Sequence, residues 1–551
     1  MLKHLRKNIQ IKIFGLGGLN EMGKNTYVVE IDGKIFIMDA GIKYANDSMY
    51  GIDYILPNYK YLEDNKERIV GVFLTHAHQE NMGGVFDLVE HLPKIRVYAT
   101  KYTKELLLMN GMKEKNIVDV VANRKIGFKN VSVFPINVSH SVPDAVMYVI
   151  NTHDGAIVYT GDFLIDPTMN GAYSMDLGKI AYVGKQGVLC LMSESVFSER
   201  KGHTSPHHRL TNWFKDTFNH ADGRIIVSTL PVHLHTIQEI FDAANNMHKK
   251  IVVMGKRLQN IINMAIKNGY LNIKPSILGD LSDIESANSI LLVCDDRDRP
   301  YATVDKIVNG NDKFINLKPT DTVVFAEPKY DATEKIFVRI QDEIAMMGAS
   351  VVTIPNTYTI LHHASQEDLM IMLNLVSPKY YMPVKGEYRS MVNNANLATE
   401  LGMKPENILL KQNGDVVEFI DGVLQDKFET IKVDDVLIDG KSSDDVGELV
   451  IKDREMLGEN GIMLISATLD KQTKRILVGP EVTTRGFIYV KDSYDMIEEI
   501  KRIAVNIIEN NTTPSYVDYN QIKNEIREEL SKYFLSETET KPMIIAVIQE
   551  V

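Results

Sequence analysis

Between Ile11 and about Ser195 the chain sets short apolar runs between turn residues. Ile35-Phe36-Ile37-Met38, Gly71 to Leu74, Val131-Ser132-Val133-Phe134 and Ala156-Ile157-Val158-Tyr159 are examples. Their length and β-branched content predict strands. Several are followed closely by a polar residue with chemistry to offer: Asp39, His76, His140 and Asp162. Functional side chains at strand ends suit a layered α/β sandwich. From about Phe197 to Tyr358 strands and helices alternate. Arg224 to Ser228 precedes a helix expected near Thr236, and Ile251 to Gly255 precedes another near Leu258. Ile290 to Val293 and Thr322 to Phe325 supply further strands, so the region predicts a parallel α/β unit. Ser365-Gln366-Glu367-Asp368 has the form of a helix N-cap, opening a helix to about Val376, and Lys379 to Val384 is again strand-like.

A polar stretch, Asp439 to Asp445, marks a hinge or linker. A compact α+β pattern follows. Ile462 to Leu469 and Arg475 to Val478 predict a strand pair, and Met543 to Ile548 a closing strand. Ile497, Ile500, Ala504, Ile507 and Ile508 mark one helix face, and Ile522, Ile526 and Leu530 mark another within a charged helix from Tyr519 to Phe534. There is no internal repeat and no low-complexity segment.

Composition adds bounds. The 551 residues exceed one ordinary core, so two or three domains are expected. A net charge of −12 repels polyanions overall, so nucleic acid would need a locally basic channel. Cys190 and Cys294 each end an apolar run and read as strand residues, not as a disulfide framework. The start, Met1 to Lys7, lacks the apolar core of a secretion signal, and no apolar run approaches the ~20 residues that cross a bilayer. These features predict a cytoplasmic protein with no membrane partner.

The chemistry concentrates in Thr75-His76-Ala77-His78-Gln79-Glu80-Asn81. His76 and His78 flank one residue at a strand end, where alternate side chains project together and two imidazoles can grip one metal ion. Alone, such a pair reads more readily as structural or surface histidines than as ligands. Three further features follow the order Asp39-Ala40-Gly41, Ser139-His140-Ser141 and Thr160-Gly161-Asp162-Phe163.

With these, Gly17 to Asn25, Gly51-Ile52-Asp53, Leu56-Pro57, Asp166-Pro167, Ser193-Glu194-Ser195, Ser365 to Leu369, Asp453-Arg454, Gly479-Pro480, Arg485-Gly486-Phe487 and Lys541-Pro542-Met543 occur in order along the chain. The sequence thereby resembles the metallo-β-lactamase fold carrying a β-CASP insertion, and within it the ribonuclease J family along almost the whole length. The resemblance implies an α/β fold: a metallo-β-lactamase αββα sandwich (1–197 and 363–438), an inserted parallel α/β β-CASP domain (198–362), a linker (439–447) and a small α+β C-terminal assembly domain (448–551).

It also implies site residues. The first metal's ligands would be His76, His78, His140 and the bridging Asp162, all present. The second metal's ligands would fall on Glu80, Asn81, Asp162 and Lys385, where the family carries Asp, His, Asp and His. Glu80 keeps a carboxylate on a longer stem and, as the family's proton-managing position, is the candidate base. Asn81 is a poor ligand beside imidazole. Lys385 cannot ligate when protonated, and its charge is expected to replace part of the second ion by pairing with Asp162 or Glu80. At most one zinc or manganese ion per chain follows.

For RNA, Leu361-His362-His363 stands where the family has a Ser-Gly-His phosphate cradle, between Thr359 and Ser365. His363 matches the family histidine; Leu361 and His362 are bulkier than the residues they replace. His235 matches a family histidine near another RNA-contact segment, and His233 departs from it. The loop Cys294 to Pro300 carries three aspartates and two arginines where the family has Thr-Gly-Ser-Gln-Gly-Glu-Pro. Three readings stand at this point: an RNA-binding, catalytically impaired partner in a homo-oligomer or with an active ribonuclease J paralogue; a slow metal-dependent 5′–3′ exoribonuclease and endoribonuclease; and a small-molecule metallo-hydrolase.

Overall fold

The computed structural model describes residues 9–45, 49, 51–294, 301–327, 334–359, 361–440, 447–487, 494–513 and 516–551. The loop 295–300, most of the linker 439–447 and the N-terminal segment lie outside the described residues. By compactness the chain divides in two. One unit runs to Val436 apart from a short segment ending at Ile52; the other is that segment with Leu437–Val551.

The first unit is built on two facing sheets. Eight strands form one, in the order Val423–Leu424, Val417–Ile420, Gln10–Gly17, Thr26–Ile31, Lys34–Met38, Ile69–Phe73, Val97–Ala99 and Ile117–Asp119. Six form the other, in the order Tyr380–Val384, Val188–Glu194, Gly155–Tyr159, Val146–Thr152, Val131–Asn137 and Ile126–Phe128. Alternation along each strand sends Tyr27, Val29, Phe36, Met38 and Phe73 from the first sheet against Val133, Tyr148, Ile150, Ile157 and Tyr159 from the second. The outer face of the second sheet is covered by the helices Leu177–Gln186, Gln366–Val376 and Tyr388–Glu400, through Ile180, Leu369, Met372 and Leu397. This is the αββα sandwich expected from the resemblance. Cys190 lies within the fully buried strand Val188–Glu194, the strand residue it was read as.

The inserted segment forms a five-stranded sheet, ordered Lys250–Val253, Ser289–Cys294, Ile225–Thr229, Thr322–Phe325 and Ser350–Thr353, parallel throughout. Helices Leu234–Asn246 and Lys256–Lys267 start within two residues of the expected positions. Arg224, fully buried, forks onto Asp321 with Nε–Oδ1 2.8 Å and Nη2–Oδ2 3.0 Å, tying two strand starts together. Ser365 begins the helix Gln366–Val376, with Asp368 accepting from its backbone N–H at 3.2 Å.

In the second unit, Ile462–Leu469 lies between Ile476–Arg485, antiparallel, and Met543–Glu550, parallel. Met463, Ile465, Ala467 and Leu469 pack on Ile500, Ala504, Ile522, Ile526 and Leu530 of the helices Tyr494–Asn510 and Tyr519–Thr538. The second hairpin strand, Ile476–Arg485, is longer than the run Arg475 to Val478 suggests. Gly479-Pro480 sits at a bulge where the register shifts between Ser466 and Thr468, and the strand continues to Arg485. Among the described residues no helix is long and apolar enough to cross a membrane.

Candidate functional site

Five strands of the two sheets end at one edge, and each is followed by a polar residue of the site. Asp39 follows Lys34–Met38, His76 follows Ile69–Phe73, His140 follows Val131–Asn137, Asp162 follows Gly155–Tyr159 and Lys385 follows Tyr380–Val384. Two glycines let the segments meet. A Cβ on Gly41 would overlap the Glu80 carbonyl at 1.7 Å, and Gly161, at φ +58°, leaves only 2.9 Å between a Cβ and Thr75.

His76, His78, His140 and Asp162 place their ligand atoms within 4.8 Å of one another, all buried. His78 Nδ1 is 3.2 Å from His76 Nε2 and 3.1 Å from His140 Nε2, and His76 Nε2 is 3.3 Å from Asp162 Oδ2. His140 donates its Nδ1–H to the His362 carbonyl at 2.8 Å. Burial, then the neighbouring His76, pushes His140 well below the usual histidine range, so it is neutral with a bare Nε2. His76 is held by a parallel device. Asp39 accepts from Thr75 Oγ1 at 2.9 Å, which leaves the Thr75 oxygen to accept from His76 Nδ1 at 2.9 Å and turns His76 Nε2 inward as a lone pair. Lone pairs facing each other and a carboxylate call for a cation. The separations match the edge of a tetrahedron around zinc, about 3.3 Å for ligand bonds of ~2.0–2.1 Å. The donor set therefore fits one transition-metal ion.

The second-metal positions carry other chemistry. The Lys385 ammonium forms an ion pair with Asp162 Oδ1. Its backbone is pinned, donating to the Gly18 carbonyl at 3.1 Å and accepting from Ser195 N–H at 3.1 Å. Burial opposes ionisation of Asp162, but Lys385, then His363 and His76, outweigh it and hold the carboxyl well below its ordinary value. Asn81 donates Nδ2–H to Asp39 Oδ2 at 2.6 Å, so it braces the hub beneath the first ligands. Glu80 is partly exposed and belongs to none of the clusters of potential ligands among the described residues.

Two residues that sequence reasoning did not assign are central. Asp39 accepts from Thr75, Asn81 and Tyr159. Glu194 accepts from His363 Nδ1 at 2.6 Å and from Phe163 N–H at 2.7 Å, and forms a further cluster with His363 and Asp162. Burial lowers His363, but Glu194 and then Asp162 outweigh it and raise it above the usual range, favouring imidazolium beside Asp162. Both residues sat in noted motifs, but nothing local marked their partners.

The residues expected to meet RNA separate into groups. His233 lies ring to ring with His78 at 5.2 Å, and His235 with His362 at 5.2 Å. Burial first, and His363 second, lowers His233 to about 4; burial and then Arg209 lower His235 to about 4. Thr359 and Leu361 line a cleft with Phe197, Arg200 and Tyr358. Ser365 is fully buried, its hydroxyl 2.8 Å from that of Thr204.

Comparison with known proteins fits this architecture. The chain matches family models for the metallo-beta-lactamase superfamily over residues 19–181, the ribonuclease J beta-CASP domain over 222–344, a Zn-dependent metallo-hydrolase RNA specificity domain over 358–409 and the ribonuclease J C-terminal domain over 449–551. A crystal structure of a protein of unknown function from Enterococcus faecalis V583 superposes at TM-score 0.51 and 15% identity, covering 74% of this chain and all of that one, a likeness of fold. Ribonuclease J2 of Bacillus subtilis (strain 168) is 35% identical over 99% of this chain and 100% of its own. Ribonuclease J 2 of Staphylococcus aureus (strain MRSA252) is 34% identical over 99% of each. With end-to-end identity at that level and all four domain types in order, the chain belongs to the ribonuclease J family of metallo-hydrolases.

Proposed function

We propose that this chain is an RNA-binding ribonuclease J-type protein whose two-metal site takes one ion, whose own cleavage is weak or absent, and which works in an oligomer with itself or with an active paralogue. The observation that carries this reading is the Lys385–Asp162 ion pair. An ammonium sits on the carboxylate that the resemblance makes the bridge between two ions. Hydrolysis by two ions uses one to generate the nucleophile and both to stabilise the attacking and leaving oxygens. Here His76, His78, His140 and Asp162 would hold one zinc or manganese ion, which supplies Lewis acidity to a water or a phosphoryl oxygen. The Lys385 ammonium and His363, whose protonated form Glu194 and Asp162 favour, put positive charge beside that place and suit retention of a phosphodiester.

The test is incubation of the purified chain with 5′-monophosphorylated RNA and manganese, beside His76→Ala. Retained RNA binding, with turnover near background in both, is expected. Turnover clearly above background that disappears in His76→Ala would overturn the reading in favour of a slow 5′–3′ exonuclease and endonuclease, the alternative that the convergence of all four first-metal ligands supports. Light scattering, alone and with an active paralogue, tests the oligomer. The match to an RNA specificity domain favours RNA over a small-molecule substrate.

A further inference from the structure

A second histidine cluster lies beside the first. His208, from the loop before the helix Thr211–Asn219, His235, from the first turn of Leu234–Asn246, and His362 bring one ligand atom each within 4.8 Å of the others. Their ring centroids are 5.0, 5.2 and 5.7 Å apart. His208 and His362 are each 1% exposed, and the His235 side chain is 19% exposed, so the cluster is enclosed with one side towards solvent. We propose that His208, His235 and His362 form a separate site for a divalent transition metal of the zinc type.

Three observations support it. Both ring nitrogens of His208 and Nδ1 of His235 are buried and make no well-formed hydrogen bond among the described residues. A neutral imidazole offers one lone pair and one N–H, so an ion among the rings, with acceptors behind them, would satisfy both nitrogens of each ring. The donor set is imidazole alone, which selects zinc, cobalt, nickel or copper over magnesium and calcium. Carboxylates stand behind the rings: Asp166 Oδ2 is 3.2 Å from His208 Nε2, and Glu239 Oε2 is 3.6 Å from His235 Nδ1. Such outer carboxylates orient metal-bound imidazoles and offset the ion's charge.

The site would also be joined to the first. The His362 carbonyl accepts from His140 Nδ1–H, so one residue holds a first-site ligand by its backbone and a second-site ion by its ring. Three ligands from three segments would staple the start of the inserted domain to the segment carrying His363, leaving a fourth position for water or an anion.

The experiment strips the full-length chain with a chelator and titrates it with cobalt(II), read by d–d absorption and by elemental analysis. The wild type is expected to bind two equivalents, His208→Ala one, and His140→Ala one with a spectrum of nitrogen ligation. His208→Ala binding as much as the wild type, or His140→Ala binding none, overturns the site. A wild type that binds one equivalent, lost in His140→Ala but kept in His208→Ala, removes this inference and leaves the single-ion reading of the first site standing. Should His208→Ala fail to fold, His235→Asn at the exposed rim replaces it. Anomalous diffraction at the zinc edge from wild-type crystals grown with zinc then decides directly, by a peak or no peak among the three rings.

Discussion

The Lys385 ammonium and the Asp162 carboxylate form an ion pair inside the protein, with Lys385 3% and Asp162 4% exposed. Asp162 divides its two oxygens: Oδ1 faces Lys385 and Oδ2 faces His76. Removing the ammonium leaves a buried carboxylate without its main counter-charge. Lys385→Met is therefore expected to lower stability by roughly 3–5 kcal/mol, as loss of one partner of a buried pair does. Urea unfolding of metal-free protein checks it; a change under about 1 kcal/mol would show that the pair contributes little.

Restoring the family's ligands should restore an ion. The triple variant Glu80→Asp, Asn81→His, Lys385→His is expected to bind one more manganese or zinc equivalent than the wild type. A second ion supplies several kcal/mol of charge stabilisation, so cleavage of 5′-monophosphorylated RNA should rise by ~100-fold or more. Elemental analysis and a turnover assay read both; unchanged metal content would mean that Lys385 is not what displaces the ion.

Asp39 acts through others. It accepts from Thr75 Oγ1, Asn81 Nδ2 and Tyr159 Oη, and Thr75 in turn orients His76. Asp39→Asn replaces one acceptor oxygen with a donor facing donors. Zinc affinity of the His76–His78–His140 site is expected to fall by roughly 10–100-fold, the usual effect of losing an outer-shell partner. Competition with a chromophoric chelator measures it, and an unchanged affinity would remove Asp39 from the site.

Arg224 should not tolerate lysine. Its fork onto Asp321 is joined by a bond from Nη1 to the Ile284 carbonyl at 3.0 Å and one from Nη2 to the Asn316 carbonyl. An ammonium cannot reproduce that geometry. Arg224→Lys is expected to cost roughly 2–4 kcal/mol through charged hydrogen bonds left unmade. Thermal unfolding of the full chain reads it, with Asp321→Asn as a partner in a double-mutant cycle.

Asp144 sets a pH dependence away from the metal ligands. Burial raises its carboxyl above the ordinary value, against the opposing hydrogen bond from Tyr270. The folded state thus holds this proton more tightly than the unfolded chain, so its contribution to stability falls as pH rises from the unfolded value of about 3.9 through the folded one. Asp144→Asn should flatten the stability–pH curve in that window. An unchanged slope would mean that the carboxyl is not shifted.

What the sequence determined by itself was local and periodic. Ile497, Ile500, Ala504, Ile507 and Ile508 share one helix face, and all are buried. Ser365 and Asp368 cap the helix they were expected to open. The polar residues after the apolar runs do follow strands, and His76 and His78 do converge, although they lie in a bend beyond the strand Ile69–Phe73 and not on the extended segment that alternation assumes. The fold decided the pairings. Lys385 was expected, from the resemblance, to pair with Asp162 or Glu80, and it pairs with Asp162; that Asp39 gathers Thr75, Asn81 and Tyr159, that Glu194 holds His363, and that His208 meets His235 and His362 follow from no spacing rule. Those contacts join segments tens to hundreds of residues apart, brought together at the edge where strands of the two sheets end and at the neighbouring loops of the inserted domain. The strand expected over Arg475 to Val478 shows the same at short range: pairing with Ile462–Leu469 carries it past a bulge at Gly479-Pro480 to Arg485. Local preference acts within a turn or two of the chain, whereas a site is set by which segments the hydrophobic core packs side by side.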